Sequence, residues 1–173
     1  MAFASLRSLP AAAAAALVLA TAFPGEAEAQ LPERDRHPYD QVISANPFGI
    51  LLGFFNAEFE RIVTVSSTAG ANGSSISFDD VRYTNFDVFW RFYPSGVPLN
   101  GWAFGAMTGV TTVTDEGTYV GFGFDVNRSW LMGAHDNFYV GLGVGLKRIL
   151  GSPDAVDRKF IPTVRLVNVG FAF

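Results

Sequence analysis

The sequence predicts an all-β chain, closed as a single antiparallel up-and-down transmembrane β-barrel of eight expected strands. Three observations lead there. Large apolar residues recur with a period of two in segment after segment, which is the spacing of a strand with one greasy face. The opposite faces of the same segments are built from glycine mixed with Asp, Asn, Arg and Lys. No stretch after residue 30 holds the roughly 20 continuous apolar residues that a membrane-spanning helix needs, although 49% of the chain is hydrophobic and only 16% is charged.

The first residues stand apart from that pattern. A short n-region with Arg7 precedes an apolar block from Leu9 to Phe23, and Ala27-Glu28-Ala29 supplies an A-x-A-like cleavage signal. We read residues 1–29 as a signal peptide, since the block is too short for a spanning helix and is followed at once by Pro24, Gly25 and Glu26. Residues 30–40 are then a leader and residues 41–173 the barrel. Removing 1–29 takes away Arg7, Glu26 and Glu28 and moves the formal net charge from −4 to −3. A mildly acidic chain argues against a nucleic-acid partner, which would want a basic face. The absence of cysteine excludes a disulfide framework and sulfur-based chemistry.

In chain order, 41–61 is expected to supply two strands, broken around Gly53 to Asn56. Further strands are expected near 62–70, 82–93, 101–113, 118–128, 137–147 and 161–173. Their faces can be read residue by residue. Phe86, Val88, Trp90 and Phe92 oppose Asn85, Asp87, Phe89, Arg91 and Tyr93. A series from Trp102 to Val110 opposes Ala103, Gly105, Met107 and Gly109. Val120, Phe122, Phe124 and Val126 oppose Tyr119, Gly121, Gly123, Asp125 and Asn127, and Phe138 to Leu146 oppose Tyr139, Gly141, Gly143, Gly145 and Lys147.

Alternation alone does not decide which face meets solvent, because a soluble barrel would bury its large apolar residues. Glycine decides it. Gly weakens a solvated strand, but it suits the cramped polar interior of an eight-stranded barrel whose large apolar residues meet lipid. The segment lengths match the 9 to 11 tilted residues that cross the hydrocarbon. Connections at Pro94–Asn100 and Ser129–Asp136 read as short periplasmic turns, and Ser66–Asp80 and Leu150–Lys159 as longer polar external loops. Trp90 and Trp102 flank the first turn and Trp130 falls in the second, so all three are expected in an aromatic girdle at one rim.

The chain ends with Val167, Val169, Phe171 and the terminal Phe173 on one face. This resembles the C-terminal signal by which bacterial outer membrane barrels are recognised for assembly. The whole chain after the expected signal peptide resembles the small eight-stranded outer membrane barrels of the OmpX or OmpA transmembrane-domain kind. Within that class, the run from Asn46 to Arg61 and the Arg91-Phe-Tyr-Pro-Ser-Gly96 turn resemble bacterial barrels with an NPxxLLxGxxNxEYER-like start and an RYYPSG-like turn. The resemblance implies the cell outer membrane as location, with lipid and lipopolysaccharide as surroundings and the barrel assembly machinery as a partner during biogenesis. It implies a monomer and brings no catalytic residue.

Asn56, Glu58 and Glu60 alternate on one strand face, and Asp87 and Arg91 on another, so these five are expected to converge in the lumen. Paired carboxylates can do acid and base work, but charges enclosed in a narrow lumen must be paired, and we read them as an internal ion-pair network. The two histidines, His37 and His135, lie outside any ligand or triad spacing. Outer membrane lipid A deacylases are similar in size, but they use a His-x-Ser pair, and His135 is followed by Asp136 and Asn137. Gly121-Phe-Gly123 and Gly141 to Gly145 lie in strand patterns with no following helix, so they make no phosphate loop. Asp115-Glu116, Asp154 and Asp157 read as solvated loop charges rather than cation sites bridging lipopolysaccharide. The expectation is a non-enzymatic barrel with a filled polar lumen and no metal or cofactor, in a structural or surface-interaction role. A narrow pore or small-hydrophobe transporter is the alternative, and a lipid-modifying enzyme the third reading.

Overall fold

The computed structural model describes residues 38–49, 53–78, 81–150 and 160–173; the expected signal peptide and most of the expected leader lie outside them. Eight strands follow one another: β1 (Gln41–Ala45), β2 (Phe55–Thr64), β3 (Ser67–Phe78), β4 (Val81–Phe92), β5 (Gly101–Val113), β6 (Gly117–Met132), β7 (Phe138–Leu150) and β8 (Phe160–Ala172). Each is antiparallel to its sequence neighbour, and β1 pairs with β8, so the sheet closes as an up-and-down barrel. Closure leaves the ladder without an outer edge strand, which is how a barrel satisfies its backbone polar groups within the sheet.

The strand pattern departs from expectation in one region. Residues 66–78 form no loop: β2 runs through Thr64, the chain turns at 65–66, and Ser67–Phe78 is a strand paired with β4 over its whole length and with β2 from Ser67 to Ser75. Its residues are small and polar, so it has no bulky face to alternate. It is a strand because β4 offers a ladder along its whole length and β2 one along most of it. The break between β1 and β2 falls at 46–54, with Gly53 in the turn and Asn56 already in β2. β6 is longer than its alternation suggests and continues to Met132, which places Trp130 in the strand rather than in a turn. The expected long loop at Ser66–Asp80 is therefore replaced by β3, while the expected loop at Leu150–Lys159 lies almost wholly outside the described residues.

The interior has three layers. At the end where β1 begins and β8 ends, Val42, Leu99, Leu131, Tyr139 and Ala172 form an apolar cluster joined by Tyr39 and Ile62. At the opposite end Tyr83, Val113, Ile149 and Ile161 form a second, joined by Ile76, Val81 and Tyr119. The polar side chains of the lumen lie between these two plugs. Leu99 reaches the first plug from the 93–100 connection, fully buried and at φ 64°. A left-handed leucine costs about 1–2 kcal/mol, offset here by burial of the side chain across the barrel mouth.

Candidate functional site

Alternation along β2 aims Asn56, Glu58 and Glu60 inward, and alternation along β4 does the same for Asp87 and Arg91. The structure brings four of these five into one layer and divides them between two ion-pair groups. Arg91 is the centre of the first. Its Nη1 donates to Glu58 Oε1 at 2.7 Å and Glu60 Oε2 at 2.8 Å, and its Nη2 to Glu58 Oε2 at 3.0 Å and Asp125 Oδ2 at 3.1 Å. The guanidinium also stacks 3.9 Å from the centre of the Phe89 ring. Glu60 is completed by Thr68 Oγ1 at 2.6 Å and Tyr93 Oη at 2.7 Å, both donating to Oε1. Arg165 Nη2 approaches Glu58 Oε1 at 2.6 Å and donates to Tyr139 Oη at 2.7 Å. Asp87 forms the second group by itself: its partner is Lys147, not Arg91. Asn56 accepts from Asn168 Nδ2 at 2.7 Å.

Glycine on the facing strands makes room for these long side chains. A Cβ on Gly105 would overlap the Asp125 carboxylate and crowd Arg91 Cγ, and one on Gly121 would press on Lys147 Cε at 2.9 Å. The glycine-rich faces are therefore steric complements of the charges opposite.

Among the partners absent from the expected set are Asp125, Lys147, Arg165 and Tyr139. The first two share the inward parity of the glycines on their strands and were legible in that pattern. Arg165 was not. Counting back by twos from Phe173 puts it outside, but a register shift between Gly141 and Gly143 against β8 leaves both Leu166 and Val167 facing outward and returns Arg165 to the lumen.

The remaining expected positions are on the outside. Trp90, Trp102 and Trp130 all point outward at the end where β1 begins and β8 ends, and Arg128 lies over the last two, 5.8 Å and 5.3 Å from the ring centres. Val167, Val169, Phe171 and Phe173 face outward as expected; Phe171 packs edge-on to Phe138, and Phe173 pairs its backbone with Gln41. His135 is exposed in the 133–137 turn and Asp115 and Glu116 in the 114–116 turn. His37, Asp154 and Asp157 lie outside the described residues.

No protein-family model, curated protein or solved structure matches this chain. Its chemistry must therefore be read from the lumen itself. Each of the four inward carboxylates, Glu58, Glu60, Asp87 and Asp125, lies within 3.1 Å of a guanidinium or ammonium nitrogen. Among the described residues no group of three His, Cys, Asp or Glu side chains could hold a metal ion. A cavity of about 30 Å³, bordered by Asn72, Asp125, Asn127 and Arg165, admits only water-sized groups.

Proposed function

We propose that this chain is a small barrel of the bacterial outer membrane with a closed lumen, acting as a structural or surface-interaction component of the envelope rather than as an enzyme. The observation that carries this reading is the inverted distribution of polarity. Phe124 and Val144 are 66% and 64% exposed, while Glu60 and Lys147 are fully buried. A water-soluble protein hides its large apolar residues and exposes its charges; only a lipid surround makes the reverse favourable. The outward tryptophans at one end fit an interfacial girdle. The outward Val169, Phe171 and Phe173 fit an assembly signal read by the barrel assembly machinery, and residues 1–29 fit an export signal.

A polar lumen also invites the reading of a pore. The two apolar plugs and the cross-barrel ion pairs oppose it, because among the described residues an apolar cluster lies toward each mouth and the charges between are paired with one another. Gel mobility of the detergent-extracted protein with and without boiling tests the membrane reading. A heat-dependent shift with a strand-rich far-ultraviolet spectrum is expected, and extraction as a soluble protein without detergent would overturn it. Planar-bilayer recording tests the closed lumen: no steady conductance is expected, and regular single-channel steps would return the pore to first place.

A further inference from the structure

Charge is sorted across the barrel wall. Among the described strand residues, every carboxylate and Lys147 face the lumen, and the outward faces carry arginine alone: Arg61, Arg82, Arg128 and Arg148. Arg61 has Asp40 at 3.9 Å. Arg128 has no carboxylate partner among the described residues. It stands half-buried on the outer face of β6, at the end where β1 begins and β8 ends.

Two tryptophans hold it there. Trp102, directly opposite on β5, and Trp130, two residues further along β6, lie 5.8 Å and 5.3 Å from the guanidinium carbon. Ring faces attract a cation without neutralising it, so the charge is positioned and left uncompensated. Along the same face Val126, Phe124, Phe122 and Val120 are followed by Thr118. The apolar stretch between Arg128 and Thr118 matches the roughly 9–11 residues that cross the hydrocarbon, which sets Arg128 at its boundary, where lipid headgroups begin.

A second donor converges on the same place. Gly101 sits at φ 135°, and a Cβ built on it would stand 3.1 Å from Ser95 Oγ and 3.6 Å from Arg128 Nη1. The missing side chain leaves a niche between a hydroxyl of the 93–100 connection and the guanidinium. Ser95 is exposed, and its Oγ accepts from Val97 N at 3.4 Å, so its hydrogen is left to donate.

We propose that Arg128 and Ser95, walled by Trp102 and Trp130, bind the phosphodiester of an anionic membrane phospholipid whose acyl chains run along Val126 and Phe124. This rests on the membrane reading above. The guanidinium is planar and always charged, and its forked donors match phosphate oxygens. An uncompensated cation at a headgroup boundary favours a lipid of net negative charge over a zwitterion. Trp90 supplies the contrast within the same girdle: it stacks on Phe92 with 6.4 Å between ring centres, and no arginine lies over it among the described residues.

The test reads tryptophan fluorescence of the full mature chain, folded in vesicles of phosphatidylcholine and phosphatidylglycerol with bromine on the acyl chains of one lipid or the other. Trp90→Phe leaves Trp102 and Trp130 as reporters of the site, and Trp102→Phe with Trp130→Phe leaves Trp90 as the reporter of unselected lipid. At equal mole fraction, brominated phosphatidylglycerol should quench the site pair several-fold more strongly than brominated phosphatidylcholine, and Trp90 no more strongly. Arg128→Gln should abolish the difference in the folded fraction isolated by gel mobility. Should that variant not fold, Arg128→Lys, which keeps the charge and loses the fork, should lower the preference. Equal quenching of the site pair by both lipids would overturn the site and leave the membrane reading standing, whereas no quenching of any tryptophan by either lipid would remove both. A preference that survives Arg128→Gln would overturn the assignment to Arg128. One abolished by millimolar glycerol phosphate on both sides of the bilayer would replace the lipid by a small soluble phosphate.

Discussion

The wall from β4 to β7 and the seam between β8 and β1 are parts of one sheet held in different ways. From β4 to β7 each strand is paired along nearly its whole length, and the side chains beneath it are tied into the Arg91 and Lys147 groups. At the seam four β1–β8 pairs and the Gln41–Phe173 backbone bonds close the barrel, and most of the buried side-chain atoms without a hydrogen-bond partner belong to Ser44, Asn46 and β8. Ladder and lumen network reinforce each other: where backbone pairing is complete, facing side chains are held at fixed separations and can satisfy one another, and where it lapses both lose partners. A closed barrel thus has a strong and a weak side, and substitutions should report which side they strike.

The largest effect is expected at the hub of the strong side. Arg91→Met leaves Glu60 and Asp125 without their cation and Glu58 with Arg165 alone. Removing one partner from a buried ion network costs about 3–5 kcal/mol, so the urea midpoint in detergent should collapse or the folded gel band disappear. Arg165→Met, at the seam, should cost less, because Glu58 keeps Arg91. If the two variants were equally destabilised, the division into strong and weak sides would not stand.

Asp87 and Lys147 isolate a single pair on the strong side. Lys147→Met alone strands a buried carboxylate and should cost about 3 kcal/mol or more. The double variant Asp87→Leu with Lys147→Met removes both charges and should recover most of that loss in the same unfolding measurement. A double variant as unstable as the sum of the singles would mean that the pair is coupled to the Arg91 group, not separate from it.

Smaller effects distinguish the two faces of the wall. Gly105→Ala puts a methyl group into the Asp125 carboxylate and should cost about 1–3 kcal/mol. Gly73, on the outer face of β3 with open space around it, should respond to Gly73→Ala with about 0.4–1 kcal/mol of stabilisation. Opposite signs from one chemical change would locate lumen and exterior independently of any membrane assay.

How much of this was legible in the sequence follows the same division. Where one face is bulky and the other is glycine, as in β5, β6 and β7, period two gives strand, facing and much of the lumen content, including Asp125 and Lys147. β3 was not legible, because a strand of Ser, Ala and Gly has no amphipathic signature and exists through its neighbours' ladders. Arg165 was not legible either, because a bulge is a property of pairing between strands and shifts parity without any mark in the sequence. The grouping of the charges was also hidden: Asp87 and Arg91 share a face of β4, yet they turn to partners on different strands, which depends on the curvature of the closed sheet. The short reach of β1, and with it the seam, lies in the same class.

The smallest perturbation, and the one most specific to the comparison, is to exchange hydrogen and change no residue. Amide exchange in lipid bicelles reads the opening of each ladder separately, with free energies that run from near zero at frayed edges to the global value in the best-paired strands. Amides of β5 to β7 should exchange slowest, and those at Val169–Ala172, held by β1, should be intermediate. Within Phe160–Asn168, alternate amides point toward β7 and toward the seam, so protection should alternate along the strand, with the seam-facing set exchanging fastest. Uniform protection there would mean that the seam amides have partners as firm as a strand, and the contrast between the two sides of the barrel would then reside in the side chains alone.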